Sequence, residues 1–283
     1  MIVKDIIYYS LNNIKEVKKN ENKEFRSFFS ELEYKDIMGY YLNDSSKKLY
    51  DGFNTRIDAI IHENDGDVLV LSDITFYDYM TSNILLLHRK KIVDYMCEKG
   101  KTEVRHAIQK FYDLCDKIST SNEILDTKCL SNLAAVSVLI CDVNGKYGVV
   151  KRGGKTAVSA GFWAVSVTGC IENRDFQNSN PIVECCVRET KEELNIDLVP
   201  ENVVVRGVSF DNKKLQPIIL CDVKIEETWE NIIHRVDKGV EYSLEVDEIH
   251  FVTEEEIPSI LQYTNMTAAS RVHFQLHCSK EVE

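Results

Sequence analysis

The sequence predicts an α/β protein in two parts, a smaller α+β part over residues 1–122 and a strand-rich part over 123–283. Three observations predict it. Apolar residues recur at helical spacing through much of the first part. A polar stretch, Ser119 to Asn122, breaks the pattern, and the connection it opens runs on towards Ser131. Beyond it, Leu133 to Cys141 is almost continuously apolar, as a strand buried on both faces requires.

In the first part, Val3, Ile7, Leu11 and Ile14 stand at helical spacing and predict an N-terminal helix. Phe25, Phe28, Phe29 and Leu32 suggest a second. Arg56 to Ile61 and Val68 to Leu71 read as strands around the turn residues Glu63-Asn64-Asp65-Gly66. Helical patterns follow over Tyr77 to Met96 and Thr102 to Ile118. The stretch Ser72 to Tyr79 mixes polar and aromatic residues near a strand end, which suits the lining of a ligand site, but a helix start capped by Ser72 or Asp73 explains it as well and is favoured. No motif in this part carries chemistry. Substrate selection, partner binding and a homodimer contact are all open to it.

In the second part, Asp142-Val143-Asn144-Gly145 turns the first strand into Tyr147 to Lys151. Trp163 to Val167 is a third strand. Pro181 opens a helix running to Leu194, because proline suits the first helical turn. Val203 to Ser209, Ile218 to Ile225 and Ile249 to Thr253 are further strands, and Glu254 to Leu261 begins a terminal helical region.

Bulk properties narrow the function. With 44% hydrophobic residues the chain can build a core, and it contains no apolar run of membrane-spanning length. The opening MIVKDIIYYSLNNIKEV is broken by polar residues and lacks a signal-peptide core, so a cytoplasmic location is expected. The 9 cysteines show no CxxC spacing, and most of them read as buried thiols in a reducing compartment. A net charge of −12 disfavours nucleic acid and anionic membrane as partners. The 7 histidines read as structural or surface residues.

The informative segment is Arg188-Glu189-Thr190-Lys191-Glu192-Glu193-Leu194-Asn195-Ile196. On a helix Glu189 shares a face with Glu192 and Glu193. Three carboxylates on one face repel unless cations bridge them, and magnesium or manganese prefers such hard oxygen ligands. A solvated acidic face is the plain alternative. Just upstream, Trp163 to Val167 leads into a glycine turn at Gly169, followed by Glu172 and Asp175.

This loop–helix resembles the Nudix box, Gly-x5-Glu-x7-Arg-Glu-U-x-Glu-Glu-x-Gly-U, where U is aliphatic. Gly169, Arg188, Glu189, Glu192, Glu193 and Ile196 fit the pattern, and Asp175 takes the place of its first glutamate. The segment between Gly169 and Arg188 is longer than the pattern, with an insertion around Phe176 to Asn180. Thr190 replaces an aliphatic residue, and Asn195 replaces glycine. The likeness covers roughly Ser131 to His277.

The resemblance implies a mixed sheet sandwiched between helices, a Mg2+ (or Mn2+) cofactor, and hydrolysis of a nucleoside diphosphate linked to another moiety. It implies Glu189, Glu192, Glu193 and Glu172 as metal ligands, with Arg188 orienting a carboxylate. The proton acceptor is a box glutamate, Glu192 or Glu193, or a later carboxylate, of which Glu241, Glu245 and Glu248 are candidates. Lys151, Arg152 and Lys155 are candidates for phosphate contacts, and Gly169 and Trp163 for substrate contact. Phe162, Phe210 and Tyr242 are further aromatic candidates for stacking. The departures from the pattern leave open a nucleotide-binding sensor that does not cut its ligand.

Overall fold

Every residue of Ala135–Cys141 (β6) is buried, and this strand forms the middle of the main sheet. Its side chains alternate between two cores. Val136, Val138 and Ile140 pack into the larger one, whereas Leu139 and Cys141 belong to the other. The computed structural model describes residues 2–3, 6–11, 14–22, 24–43, 49, 51–156, 158–177, 180–236, 242–263 and 265–278.

In chain order the first part holds β1 (Ile2–Val3), β2 (Ile6–Ser10), β3 (Ile14–Lys19), α1 (Glu31–Leu42), β4 (Phe53–Glu63), β5 (Gly66–Thr75), α2 (Phe76–Met80), α3 (Arg89–Glu98), α4 (Thr102–Cys115) and α5 (Ser121–Asp126). The second holds β6, β7 (Tyr147–Arg152), β8 (Trp163–Val165), β9 (Val167–Cys170), α6 (Pro181–Leu194), β10 (Val203–Asp211), β11 (Gln216–Lys224), α7 (Trp229–Val236), α8 (Tyr242–Glu245), β12 (Val246–Val252), α9 (Ile257–Ile260) and α10 (Ala268–Cys278).

The fold is mixed α/β. The main sheet runs β1-β2-β10-β11-β6-β7-β12, with β11 parallel to β6, β8 beside β7 and β9 beside β6. Cys185, Cys186 and Leu194 of α6 pack on one face with Trp229 and Ile232 of α7, and Phe274 of α10 packs on the other with Ile257 and Ile260 of α9. The expected third strand is two. At the break, Ser166 Oγ donates to the Gly148 carbonyl at 2.8 Å and accepts from the Ile140 N–H at 2.9 Å. One hydroxyl thus fills the gap where β6 and β7 splay. Val167–Cys170 then pairs with Ala135–Val138, which brings Gly169 beside Val136.

The N-terminal helix expected from Val3, Ile7, Leu11 and Ile14 does not form. β1 and β2 extend the main sheet instead, with β2 antiparallel to β10 from Gly207↔Ser10 to Asp211↔Ile6. Tertiary pairing overrides the apolar period, and the β-branched content favours that outcome. β3 pairs in parallel with β5, which forms a hairpin with β4. The helix expected around Phe25 begins later, at Glu31, where Ser30 and Glu33 form a capping box. The long helix expected over Tyr77 to Met96 is broken into α2, a 3-10 turn at Ile84–His88, and α3. α2 is capped by Thr75, not by Ser72 or Asp73.

The boundary expected at 122/123 falls inside α5, and one core includes Ile37, Leu69 and Phe111 together with Val136, Cys185 and Val208. Buried Asn83 links the two parts. Its amide nitrogen donates to the carbonyls of Lys214 and Leu215, each at 2.8 Å, and its oxygen accepts from Ser131 Oγ at 2.7 Å. β4 docks on the end of β9, with the Thr55 N–H donating to the Ile171 carbonyl at 3.0 Å and Asn54 bridged to Glu172. No described helix is long and apolar enough to cross a membrane.

Candidate active site

Helix α6 is punctuated as its sequence requires. The Asn180 side chain accepts from the Ile182 N–H at 3.1 Å, and Pro181 occupies the first turn. Asn195 ends the helix in the left-handed conformation, φ 54° and ψ 34°, where the pattern has glycine. Thr190, in an aliphatic position of the pattern, is fully buried, and its hydroxyl has no hydrogen-bond partner.

The face of α6 turned to β9 carries Glu189 and Glu193, both buried, with half-exposed Glu192 beside them. Gly169 makes room for them. A Cβ at Gly169 would stand 2.1 Å from Cγ and Cδ of Glu189 and 2.3 Å from its Oε1. The glycine therefore serves close approach of a carboxylate to the β9 backbone.

Arg188 anchors the arrangement. Its Nε and Nη2 donate to the two oxygens of Asp175 at 2.8 and 2.9 Å, a bidentate clamp. Nη1 donates to Glu189 at 2.7 Å and to Glu192 at 3.2 Å, and Nη2 also reaches the Cys170 carbonyl at 2.9 Å. Burial opposes the charge, but Asp175 and Glu189 outweigh it and hold the Arg188 guanidinium well above its usual pKa. Asp175, 3% exposed, also accepts from the Glu172 N–H at 2.8 Å. Both of its oxygens are thus engaged, and it braces the loop rather than facing the cleft. Replacing Asp175 by alanine leaves a nearly buried guanidinium without its main partner. The variant is expected to lose about 3–5 kcal/mol of stability in urea unfolding, and an unchanged midpoint would remove Asp175 from this role.

A cleft of about 390 Å³ opens over this helix. Glu172, Glu189, Glu192 and Glu193 line it, with Arg188 and Gly169. Glu245 lines it from the end of α8, 3.2 Å from Arg152 Nη2. Arg152, Lys155, Arg174 and Lys214 bring positive charge to the same cavity. Arg174 lies between carboxylates, 2.8 Å from Glu172 and 3.3 Å from Glu192. Burial lowers the pKa of Lys214. Cys170 is pushed up to about 12, by burial first and by Glu189 second, and is a neutral thiol near pH 7.

Of the residues singled out in the sequence, Glu172, Glu189, Glu192, Glu193, Arg188, Gly169, Arg152, Lys155 and Glu245 meet in the cleft. Lys151 does not. Side chains alternate along β7, so Arg152 faces the cleft while Lys151 crosses to Glu248 on β12 at 2.5 Å. Glu248 is committed to that exposed pair, and Glu241 lies outside the described residues. Trp163 is not in the cleft lining either. It packs against His250 and Tyr263, with ring centroids 4.6 and 5.4 Å apart. Phe162 is exposed and Phe210 fully buried. The aromatic residues that do line the cleft are Phe76 and Tyr79 of the first part, near Asn54. Their mixed polar and aromatic stretch was the available signal, but nothing local tells it from a helix cap.

The donor set suits a hard divalent cation, being carboxylate oxygen throughout. Arg174 shows that positive charge is accommodated between Glu172 and Glu192. The carboxylates are not drawn into a tight cluster, however. Among the described residues, three ligand atoms within 4.8 Å of one another occur at Asp222, His273 and His277 and not at the glutamates.

No protein-family model matches the chain, and no curated protein matches it. Solved MutT/Nudix structures are similar to about half of it. The MutT protein from Methanosarcina mazei Go1 is 19% identical, covering 53% of this chain and 96% of its own, with a TM-score of 0.37. The MutT NUDIX hydrolase from Burkholderia pseudomallei is 17% identical over 50% of this chain and 95% of its own, with a TM-score of 0.35. A Deinococcus radiodurans protein is 13% identical over 51% and 82%, with a TM-score of 0.37.

Proposed function

We propose that this chain is a pyrophosphohydrolase of the Nudix type, acting with Mg2+ (or Mn2+) on a nucleoside diphosphate linked to another moiety. The observation that supports it is the cleft itself: acidic ligands, basic side chains and an apolar wall meet in one cavity, and they come from both parts of the chain.

Glu189, Glu192, Glu193 and Glu172 are the residues that would hold the cation. When bound, it would offset phosphate charge and make a coordinated water more acidic. Arg188 orients Glu189 and Glu192 through its hydrogen bonds, and Asp175 holds Arg188 in turn. Glu245 is the late-loop carboxylate assigned to accept a proton from water, positioned by Arg152. Lys214 and Lys155 are assigned to phosphate oxygens, which carry the charge that a lysine ammonium recognises. Phe76 and Tyr79 form the wall against which the rest of the substrate packs.

The test is turnover of a nucleotide panel, including ADP-ribose, NADH, dinucleoside polyphosphates and nucleotide sugars, followed by mass spectrometry with and without magnesium. Magnesium-dependent release of a nucleoside monophosphate is the expected result. Thermal stabilisation by a nucleotide with no product formed would replace the hydrolase with a binding module.

A further inference from the structure

On the face of the main sheet opposite α6, helix α10 presents His273 and His277, four residues apart and so on one side of the helix. Asp222 of β11 meets both. His273 Nε2 lies 2.8 Å from Asp222 Oδ1, and His277 Nε2 lies 3.2 Å from the same oxygen. All three residues are buried, and one ligand atom from each lies within 4.8 Å of the others. None of the three is in the lining of the glutamate cleft.

We infer that Asp222, His273 and His277 form a second metal site, for a divalent cation of the zinc type. Two imidazole nitrogens and one carboxylate oxygen are ligands that zinc accepts readily and that magnesium, which favours oxygen alone, does not. Zinc–ligand bonds of about 2.0–2.1 Å place tetrahedral ligand atoms roughly 3.3 Å apart, so the two histidine–Asp222 spacings of 2.8 and 3.2 Å need to open by at most about half an ångström, and the third pair of ligand atoms already lies within 4.8 Å. The fourth position falls to water, which the slight exposure of Asp222 and His277 admits.

The surroundings supply what such a site needs. The far ring nitrogens face hydroxyls, His273 Nδ1 at 3.3 Å from Ser137 Oγ and His277 Nδ1 at 3.4 Å from Tyr147 Oη. Arg206 Nε donates to Asp222 Oδ2 at 2.5 Å and leaves Oδ1 to the histidines. In a neutral ring hydrogen-bonded to Asp222, the proton sits on Nε2. Metal binding there moves that proton to Nδ1, where it is donated to the Ser137 or Tyr147 oxygen, and the ring keeps one proton throughout. The site ties α10 to β6, β7 and β11, and the first turn of α10 supplies Ala268 and Ala269 to the cleft.

The experiment uses the full chain in excess magnesium, added to compete cobalt away from the carboxylate cleft, and titrates cobalt(II) and then zinc(II). Expected are visible cobalt bands of a tetrahedral site, saturating at one equivalent per chain and displaced by zinc. The bands are lost in His273→Gln and in His277→Gln but kept in Glu192→Gln. Zinc at a hundredfold excess over its Kd should also raise Tm by roughly 5–10 °C. If the histidine variants fail to fold, zinc-edge X-ray absorption on the wild-type protein decides. Two imidazoles in the ligand shell support the site. An all-oxygen shell, no saturable cobalt binding under excess magnesium, or bands that survive in His277→Gln overturns it and leaves a hydrogen-bonded clamp only.

Discussion

Glu192→Gln is expected to lower magnesium-dependent turnover by about 10³-fold, with Tm within about 2 °C of the parent. The glutamine keeps the shape of the side chain and an oxygen that accepts from Arg188, which lies 3.2 Å away. It removes the negative charge, and with it the attraction for a cation. Glu192 is the most accessible of the three α6 glutamates that line the cleft and stands between Arg188 and Arg174. Its ion pairs are partly solvated, so their loss affects stability little. Initial rates on whichever nucleotide the panel identifies, together with a thermal melt, separate the two effects. A variant that turns over at the parental rate would take Glu192 out of the chemistry.

The second large effect is expected at Gly169→Ala. Turnover should fall about 10²-fold and stability by about 2–3 kcal/mol, because the methyl must displace either Glu189 or strand β9. A Cβ at 2.1 Å from the Glu189 side chain would stand far inside contact distance. Glu189 is 7% exposed and held by Arg188, so it has little freedom to move aside. Gly154→Ala, in the exposed loop after β7, is the control, since a Cβ there meets nothing within 4 Å. Denaturant midpoints and rates on both variants test the idea. Parental behaviour of Gly169→Ala would show that the strand yields easily and that the close approach is not a constraint.

These predictions start from residues that were legible in the chain order. The spacing of Gly169, Arg188, Glu189, Glu192 and Glu193 needed only a helix of known period to put the carboxylates on one face, and α6 spans the predicted Pro181–Leu194. Lys151 and Trp163 were misplaced because a strand end looks the same in sequence from either face. Only the register of β7 with β12 and β8 shows that Arg152 faces inwards and Lys151 does not. Asp175 matched the pattern by counting, yet its two oxygens belong to Arg188, which counting cannot reveal. Asp222, His273 and His277 escaped for a related reason. His273 and His277 show helical spacing, but their partner Asp222 is 51 and 55 residues away and joins them only through the sheet.

Local chemistry, then, determined the acidic helix, its caps at Asn180 and Asn195 and the strand before it, whereas Gly169, expected in a turn, lies within strand β9 and pairs with Val136. Helix, caps and strand depend on neighbours within a few residues, where backbone propensity and side-chain period act directly. Long-range pairing decided the rest. The N-terminal segment became strands because β10 offered an edge with unpaired backbone groups. Phe76 and Tyr79 reached the cleft because Asn83 and β4 fasten the first part to the second. Those contacts join residues far apart in the chain, and no local period encodes which distant edge a segment will meet.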